Sequence, residues 1–452
     1  MEDFKKLYNE KYKEEALELV KKLVSFKSVL DEYRPNTDTP FGVGAKEALT
    51  YLLDYAKKDG FITFNADNYA GDLEFGSGKD VLGLLAHLDV VPVSGQDWIS
   101  DPFTVDIRDG KMYGRGVNDD KGPLVSSYIA MKMLKDQGFE PSKKIRLIFG
   151  CDEESGSRCL EHYFKVKEKP TMSFSPDADF PGIHGEKGNM SYDILVSDDK
   201  VIKTFDAGVR YNMVPSIATA TLNVNLEKEF NTYLKENNYN GSYTNGVYKV
   251  IGKGAHAMCP EEGINAAYIL FDFINKYSDS KIAKFVCQYY AFDTKGEKIG
   301  YDSYDDVMKS LTSNFAIVDI KDGNGNGKLG VNCRLPKNSD IKNVEEKVAS
   351  ATTKYNFGYK VLGASEIHYV EKDSYLMKTL YDAYVKVTGD TVNEPTTIGG
   401  GTYAHELNDA VAFGPLFPGR EDVCHIANEY MYLEDFDKMT EIYYNAIYEL
   451  TK

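Results

Sequence analysis

Apolar residues recur every three or four positions over residues 11–23, 43–56 and 124–134, the spacing of helices that bury one stripe. Shorter runs at 81–85 ("VLGLL") and 145–149 ("IRLIF"), with a weaker one at 171–174, are apolar at almost every position. Runs of that kind predict strands covered on both faces. Strands alternating with helices predict an α/β domain with a mostly parallel sheet. After about Gly185 the pattern changes. "MSYDILVSDDK", "ATATLNVNLEKEF" and "NGSYTNGVYKVIGKG" read as short strands joined by Gly- and Asn-rich turns. Helical spacing returns at 265–277 and 344–354, and again at 375–387 and 433–450. The expected organisation is one domain inserted into another. Residues 1–185 and 374–452 form the α/β domain, and residues 186–373 form an α+β insert.

Length and composition agree with two cores: the chain has 452 residues, of which 42% are apolar. The net charge of −17 argues against nucleic acid or anionic membrane partners, although one local pocket can still oppose it. The six cysteines are scattered, without CxxC, as expected of reduced thiols in a cytoplasmic protein. The N-terminal stretch reads as a charged amphipathic helix rather than a signal peptide, and no apolar run is long enough to span a bilayer. A cytoplasmic location follows as the expectation.

Candidate chemistry gathers where the predicted strands end, the edge at which open α/β sheets place their sites. "AHLDVVPVSGQDWISDPF" puts His87 and Asp89 on one side of a buried strand end. Taken alone, a satisfied His–Asp pair in the core and a site pair are equally good readings. "GRGVNDDKGP" sets Asp119 and Asp120 beside a helix start near Pro123, where acids are favoured anyway. "IRLIFGCDEESGS" runs off an apolar strand into Asp152, Glu153 and Glu154, three carboxylates that repel unless a cation or a proton relieves them. "TMSFSPDADFP" adds Asp177 and Asp179, and "FPGREDVCHIANEYM" adds His425, with Asn428 and Glu429 behind it. "DGNGNGKLGVNC" begins like a calcium loop but has Cys333 where a bidentate Glu is needed, so it reads as a hairpin. His162, His184 and His368 read as structural or surface residues.

The ordered set HxD, GRGxxDDKG, DEE, SPD and HxxNE resembles the co-catalytic zinc peptidase family that includes carnosinase, aminoacylase and succinyl-diaminopimelate desuccinylase. It most resembles the PepV-type dipeptidase branch, over essentially the whole chain. The resemblance implies a di-metal hydrolase domain carrying an inserted lid domain. It implies two divalent ions, most simply zinc, with manganese or cobalt as alternatives. His87 and Asp177 would bind one ion, Glu154 and His425 the other, and Asp119 both. Glu153 would be the general base for a metal-activated water, and Asp89 would orient His87. The peptide bond between Asp119 and Asp120 would be cis. Three ligand carboxylates against two divalent cations leave one net positive charge, which suits an activated water near neutrality.

The insert would supply substrate contacts. By resemblance, Asn212 and His256 stabilise the oxyanion, and Arg334 pairs bidentately with the substrate's C-terminal carboxylate. Gly399, Gly400 and Gly401, ahead of a predicted helix, would offer backbone N–H groups to the same anion. Individually these residues read as a turn asparagine, a core histidine and a surface arginine. His405 stands where the resemblance leads one to expect arginine. The function implied is hydrolysis of unblocked dipeptides, by a monomer whose two domains close over the substrate. An N-acyl-amino-acid deacylase or desuccinylase using the same metal core is the rival, and a peptide-binding protein without turnover is a further one.

Overall fold

The computed structural model describes residues 4–452. The chain forms two compact units. The first comprises the chain up to Gly185 together with Tyr369–Thr396 and Gly401–Lys452, and the second comprises Glu186–His368 with Thr397–Gly400. The return to the first unit falls at Tyr369, ahead of the Ser374 read from the sequence pattern. Val370 donates its N–H to the carbonyl of His184 at 2.8 Å, which ties the returning chain to the first unit.

In the first unit the chain runs through α1 (Lys13–Val24), α2 (Val43–Lys58), β1 (Ile62–Ala66), β2 (Ala70–Phe75) and β3 (Val81–His87). It continues through α3 (Lys121–Asp136), β4 (Lys144–Gly150), α4 (Arg158–Val166) and β5 (Met172–Ser175). The second unit contains β6 (Gly188–Val196), β7 (Ile202–Ala207), β8 (Ile217–Leu222), α5 (Glu227–Asn237), β9 (Asn240–Thr244) and β10 (Val247–Ile251). It then adds α6 (Ala266–Tyr277), α7 (Lys281–Tyr289), β11 (Thr312–Ile320), β12 (Gly327–Leu335), α8 (Ile341–Lys354) and β13 (Gly358–Ser365). The first unit resumes with α9 (Tyr375–Thr388), β14 (Ala410–Ala412) and α10 (Leu433–Thr451).

The first sheet has the order β1-β2-β4-β3-β5-β14 along most of its width. β4, β3, β5 and β14 are mutually parallel, whereas β1 and β2 form an antiparallel edge. Every residue of β3 is buried, as its unbroken apolar run requires of a strand sandwiched between helices. One of those helices, α3, is apolar on most of its circumference and is buried from Lys121 to Met131. In register, His87 at the end of β3 lies opposite Gly150 at the end of β4. The two strand ends thus deliver the HxD and DEE stretches side by side.

The second unit is an antiparallel sheet of order β9-β10-β8-β7-β11-β12-β6-β13, with its own core around Phe205, Phe271, Phe285 and Phe315. Three helices went unread in the sequence. α4, α5 and α7 span 9, 11 and 9 residues; α4 and α5 bury only three residues each, too few for a period to emerge, whereas α7 buries Ile282, Ala283, Phe285, Val286 and Tyr289 at a helical spacing that was there to be read. In α5 only Phe230, Tyr233 and Leu234 are buried, an i, i+3, i+4 triplet. The calcium-like segment is the β11–β12 hairpin, in which Asp322 accepts N–H bonds from Asn324 and Asn326. All six cysteines are free, and among the described residues no helix is long and apolar enough to cross a membrane.

Candidate metal centre

Four loops at the carboxyl edge of the first sheet bring five side chains together. His87 Nε2 lies 2.9 Å from Asp119 Oδ1 and 3.6 Å from Asp177 Oδ2. His425 Nε2 lies 2.9 Å from Asp119 Oδ2 and 3.1 Å from Glu154 Oε1. The ligand atoms form two groups, His87/Asp119/Asp177 and Asp119/Glu154/His425, each within 4.8 Å and sharing Asp119. Each oxygen of Asp119 faces a different imidazole.

The donor set fits metal ions. His87 donates from Nδ1 to the carbonyl of Asp89 at 3.0 Å, which leaves Nε2 as the lone-pair nitrogen of the neutral ring. That Nε2 is buried and makes no hydrogen bond, although carboxylate oxygens surround it. An orphaned, buried imidazole nitrogen aimed at carboxylates is what a cation would satisfy. The carboxylates also carry more negative charge than two histidines offset. Burial, then the nearby Asp119, pushes the Glu154 carboxyl up to about 7 and Asp177 well above its ordinary range. Glu153 is likewise pushed up, by burial and by Glu154 and Asp119 against the opposing pull of His87. Burial lowers the affinity of His425 for a proton, but Asp119 and Glu154 overcome it and lift the ring to about 11. Divalent cations would relieve the same imbalance.

The supporting residues explain the motif spacing. Asp89 touches His87 through its backbone carbonyl, with its carboxylate Oδ1 at 3.6 Å from Nδ1. That carboxylate is spent on the DEE turn, where Oδ1 accepts the N–H of Glu153 and Oδ2 that of Glu154, both at 3.0 Å. Asp89 therefore clamps His87 and the Glu153–Glu154 turn together. Asp152, the first acid of the three, turns away into a bidentate pair with Arg158, both contacts at 2.7 Å. That pairing removes the three-way repulsion read from the sequence. The GRG loop folds tightly: a Cβ on Gly122 would meet the Val117 carbonyl oxygen at 2.0 Å. The Asp119–Asp120 peptide is cis.

Glu429, Arg115, Gln96 and Asp120 carry contacts that the sequence did not assign. Glu429 is fully buried and accepts the N–H groups of Gly116, Asn118 and Asp119 as well as Arg115 Nη1 at 2.7 Å. Arg115 Nη2 reaches Gln96 Oε1, and Gln96 Nε2 holds the backbone carbonyl of His425 at 2.8 Å. Asp120 Oδ2 accepts the His87 N–H at 3.0 Å. The signal was an arginine and a glutamate inside motifs already singled out, a pair that burial would force together. Glu429→Ala is expected to cost about 3–5 kcal/mol of stability, because it strands a buried guanidinium and three N–H donors. Equilibrium urea unfolding against the parent protein measures it.

The remaining candidates lie in the second unit, Gly401 excepted. Asn212 and His256 sit on adjoining segments, with Met213 bridged to His256 and the Ala257 N–H bonded to the Asn212 carbonyl at 2.9 Å. Arg334 is buried on β12, donates to Asn332 Oδ1 at 3.0 Å and to the Gly399 carbonyl at 3.1 Å, and is pulled down to about 10 by burial. Gly399 packs where a Cβ would lie 2.6 Å from Met258 Cβ. The expected helix after Gly401 is only a four-residue 3-10 turn, Tyr403–Glu406, capped by Thr402. A turn that short offers little helix dipole to an anion. His405 lies in it, 3.2 Å from Glu406 Oε1. His162 pairs with Asp67 and stacks on Tyr69, and His184 bonds the Val370 carbonyl. His368 is buried.

The sequence pattern of peptidase family M20/M25/M40 matches residues 83–449. The chain belongs to that family. Among curated proteins, this M20 chain is 39% identical over 459 residues to "Putative dipeptidase YtjP" of Bacillus subtilis strain 168, covering 97% of this chain and 98% of the relative. It is 37% identical over 460 residues to the "Putative dipeptidase" of Staphylococcus epidermidis, covering 97% of each. Among solved structures, human carnosine dipeptidase 1 superposes with a TM-score of 0.61 at 16% identity, over 99% of this chain and 98% of that one. The dipeptidase Dug1p of Saccharomyces cerevisiae superposes with a TM-score of 0.59 at 16% identity, over the same shares. At that identity the structural likeness establishes the M20 fold, and this family member is a hydrolase of mixed α/β architecture with a separate second sheet.

Proposed function

We propose that this chain is a di-metal dipeptidase that hydrolyses the peptide bond of unblocked dipeptides. The observation that carries the reading is the pair of ligand groups joined through Asp119, with Glu153 beside them and outside both. The names of the closely similar relatives support the same substrate class. His87, Asp119 and Asp177 would hold one ion, and Asp119, Glu154 and His425 the other. The nitrogen and carboxylate donors suit zinc and also accept manganese or cobalt. Bound divalent ions supply Lewis acidity, polarising a carbonyl and acidifying water to a pKa of about 7.

The chain's own groups do the rest. Glu153 takes a proton from the attacking water at its carboxylate and returns it to the leaving amine nitrogen. Asp89 fixes the turn that presents Glu153 and Glu154. Asn212 and His256 donate to the developing oxyanion, and Arg334, with the Gly399–Gly401 turn, binds the C-terminal carboxylate of the substrate. A carboxylate-binding arginine sets the preference for short peptides, because a further residue collides with its site and carries the free carboxylate out of its reach. We also read the enzyme as a cytoplasmic monomer.

The test is a panel of free dipeptides and their N-acetylated counterparts, assayed with metal analysis and with chelator. Free dipeptides are expected to be cleaved at least about 100-fold faster in kcat/KM than the acetylated forms. Chelator is expected to abolish the activity, and added zinc, manganese or cobalt to restore it. A preference for the acylated substrates would assign the chain to the deacylases instead.

A further inference from the structure

The sheet face of the second unit that points away from its apolar core, opposite to Tyr192, Phe315 and Val331, carries a compact polar patch. Asn314 on β11 and Asn332 on β12 are directly paired, as are Thr312 and Arg334 two residues along. From β6, Ser191 pairs with Asn332 and Asn189 with Arg334. Directly paired and alternate residues share a sheet face, so these six side chains form two rows of three. Asn314 and Asn332 are only 1% and 2% exposed. Burying two amides is unfavourable unless their hydrogen bonds are made, so where those bonds go is informative.

They go to the segments that carry the proposed substrate contacts. Asn314 Nδ2 donates to the carbonyls of Tyr211 and Met213, both at 3.0 Å, the residues on either side of Asn212. Asn332 Nδ2 donates to Asn189 Oδ1 at 2.6 Å and Ser191 Oγ at 2.9 Å, which leaves Oδ1 to accept Arg334 Nε at 3.0 Å. Both amide orientations are determined by chemistry, since carbonyls only accept and a guanidinium only donates. Two further contacts stiffen the Asn212 segment. The Tyr211 ring lies over Gly330, where a Cβ would be 2.6 Å from the ring, and its hydroxyl donates to Asp193.

We infer that Asn314 and Asn332 are positioning residues with separable tasks: Asn314 sets the placement of Asn212, and Asn332 sets the guanidinium of Arg334. The inference rests on the roles proposed above for Asn212 and Arg334. It distinguishes itself from a purely architectural patch because the two asparagines hold groups with different jobs. Loss of Asn332 loosens recognition of the substrate carboxylate, an effect on KM. Loss of Asn314 loosens a group that acts on the oxyanion, an effect on kcat. Displacing such a group by an ångström costs on the order of 10²-fold.

The experiment uses the full chain loaded with metal, a free dipeptide and the same dipeptide amidated at its C-terminus. Asn332→Ala is expected to raise KM for the free dipeptide about tenfold with kcat within about threefold, and to leave kcat/KM for the amide unchanged. Asn314→Ala is expected to lower kcat about tenfold or more with KM within about threefold, on both substrates. In the Arg334→Ala and Asn212→Ala backgrounds the respective second change should be nearly silent, as for residues acting through one another. Should either alanine variant fold poorly, Asn332→Asp (which keeps the acceptor) and Asn314→Ser (which keeps one donor) are expected to give the same split at smaller size. Effects that move kcat and KM together, or that multiply in the double variants, overturn the inference while Arg334→Ala and Asn212→Ala still behave as proposed. If instead Arg334→Ala leaves KM unaltered and Asn212→Ala leaves kcat unaltered, the functional reading itself fails and takes the inference with it.

Discussion

Replacing Glu153 with alanine is expected to lower kcat by about 10³-fold or more while metal content stays at the parent level, since positioned proton transfer contributes roughly 10²–10⁴-fold. The separation follows from the geometry. Glu153 belongs to neither ligand group, whereas its neighbour Glu154 belongs to one. Both are presented by the same turn, and that turn is held through backbone N–H groups on the two oxygens of Asp89. Truncating the Glu153 side chain leaves those bonds, and with them the position of Glu154, in place. Glu153→Gln, nearly identical in shape, should lose as much as Glu153→Ala, which separates proton transfer from packing. Metal stoichiometry by emission spectrometry and initial rates on a free dipeptide measure the two halves. Turnover within about tenfold of the parent would refute the assigned role.

The sheet and the candidate site were legible in the sequence for one reason. The buried parallel strands are continuous apolar runs, and the polar residues that follow them stand out against that background. His87 at the end of β3, the acids after β4 and Asp177 after β5 stand out as strand-end chemistry in the sequence alone. What stayed hidden was pairing between distant segments. Glu429 stands out in the HxxNE stretch with no role attached to it, yet it is fully buried and holds the whole GRG loop. Asn314 and Asn332 lie inside strand-like stretches, where a lone asparagine signals nothing until the register brings the two face to face. Asp89 was read as the orienter of His87, but its carboxylate serves chiefly the Glu153–Glu154 turn, a link of more than sixty residues along the chain. Short helices such as α5 were lost for a different reason: a three-residue apolar stripe is too small to announce a period.

Asp119→Ala is expected to remove both ions and all detectable hydrolysis, a larger loss than any other single ligand change. Without Asp119, one group keeps only His87 and Asp177, and the other keeps only Glu154 and His425. Catalytic zinc sites keep three protein ligands, so neither remainder suffices. The contrast is His425→Ala, which leaves His87, Asp119 and Asp177 intact and should retain one ion of the pair. Asp119 can serve both groups because its oxygens face opposite ways, 2.9 Å from His87 and 2.9 Å from His425, while Glu429 holds its backbone N–H at 3.2 Å. Its shared position is therefore set by the loop, not by the ions. The Ala variant should accordingly stay folded, with an unfolding transition near that of the chelator-treated parent. Dialysed Asp119→Ala protein that retains the parent's full metal content would show that the two groups do not depend on a common ligand. The joined centre would then have to be replaced by two separate sites.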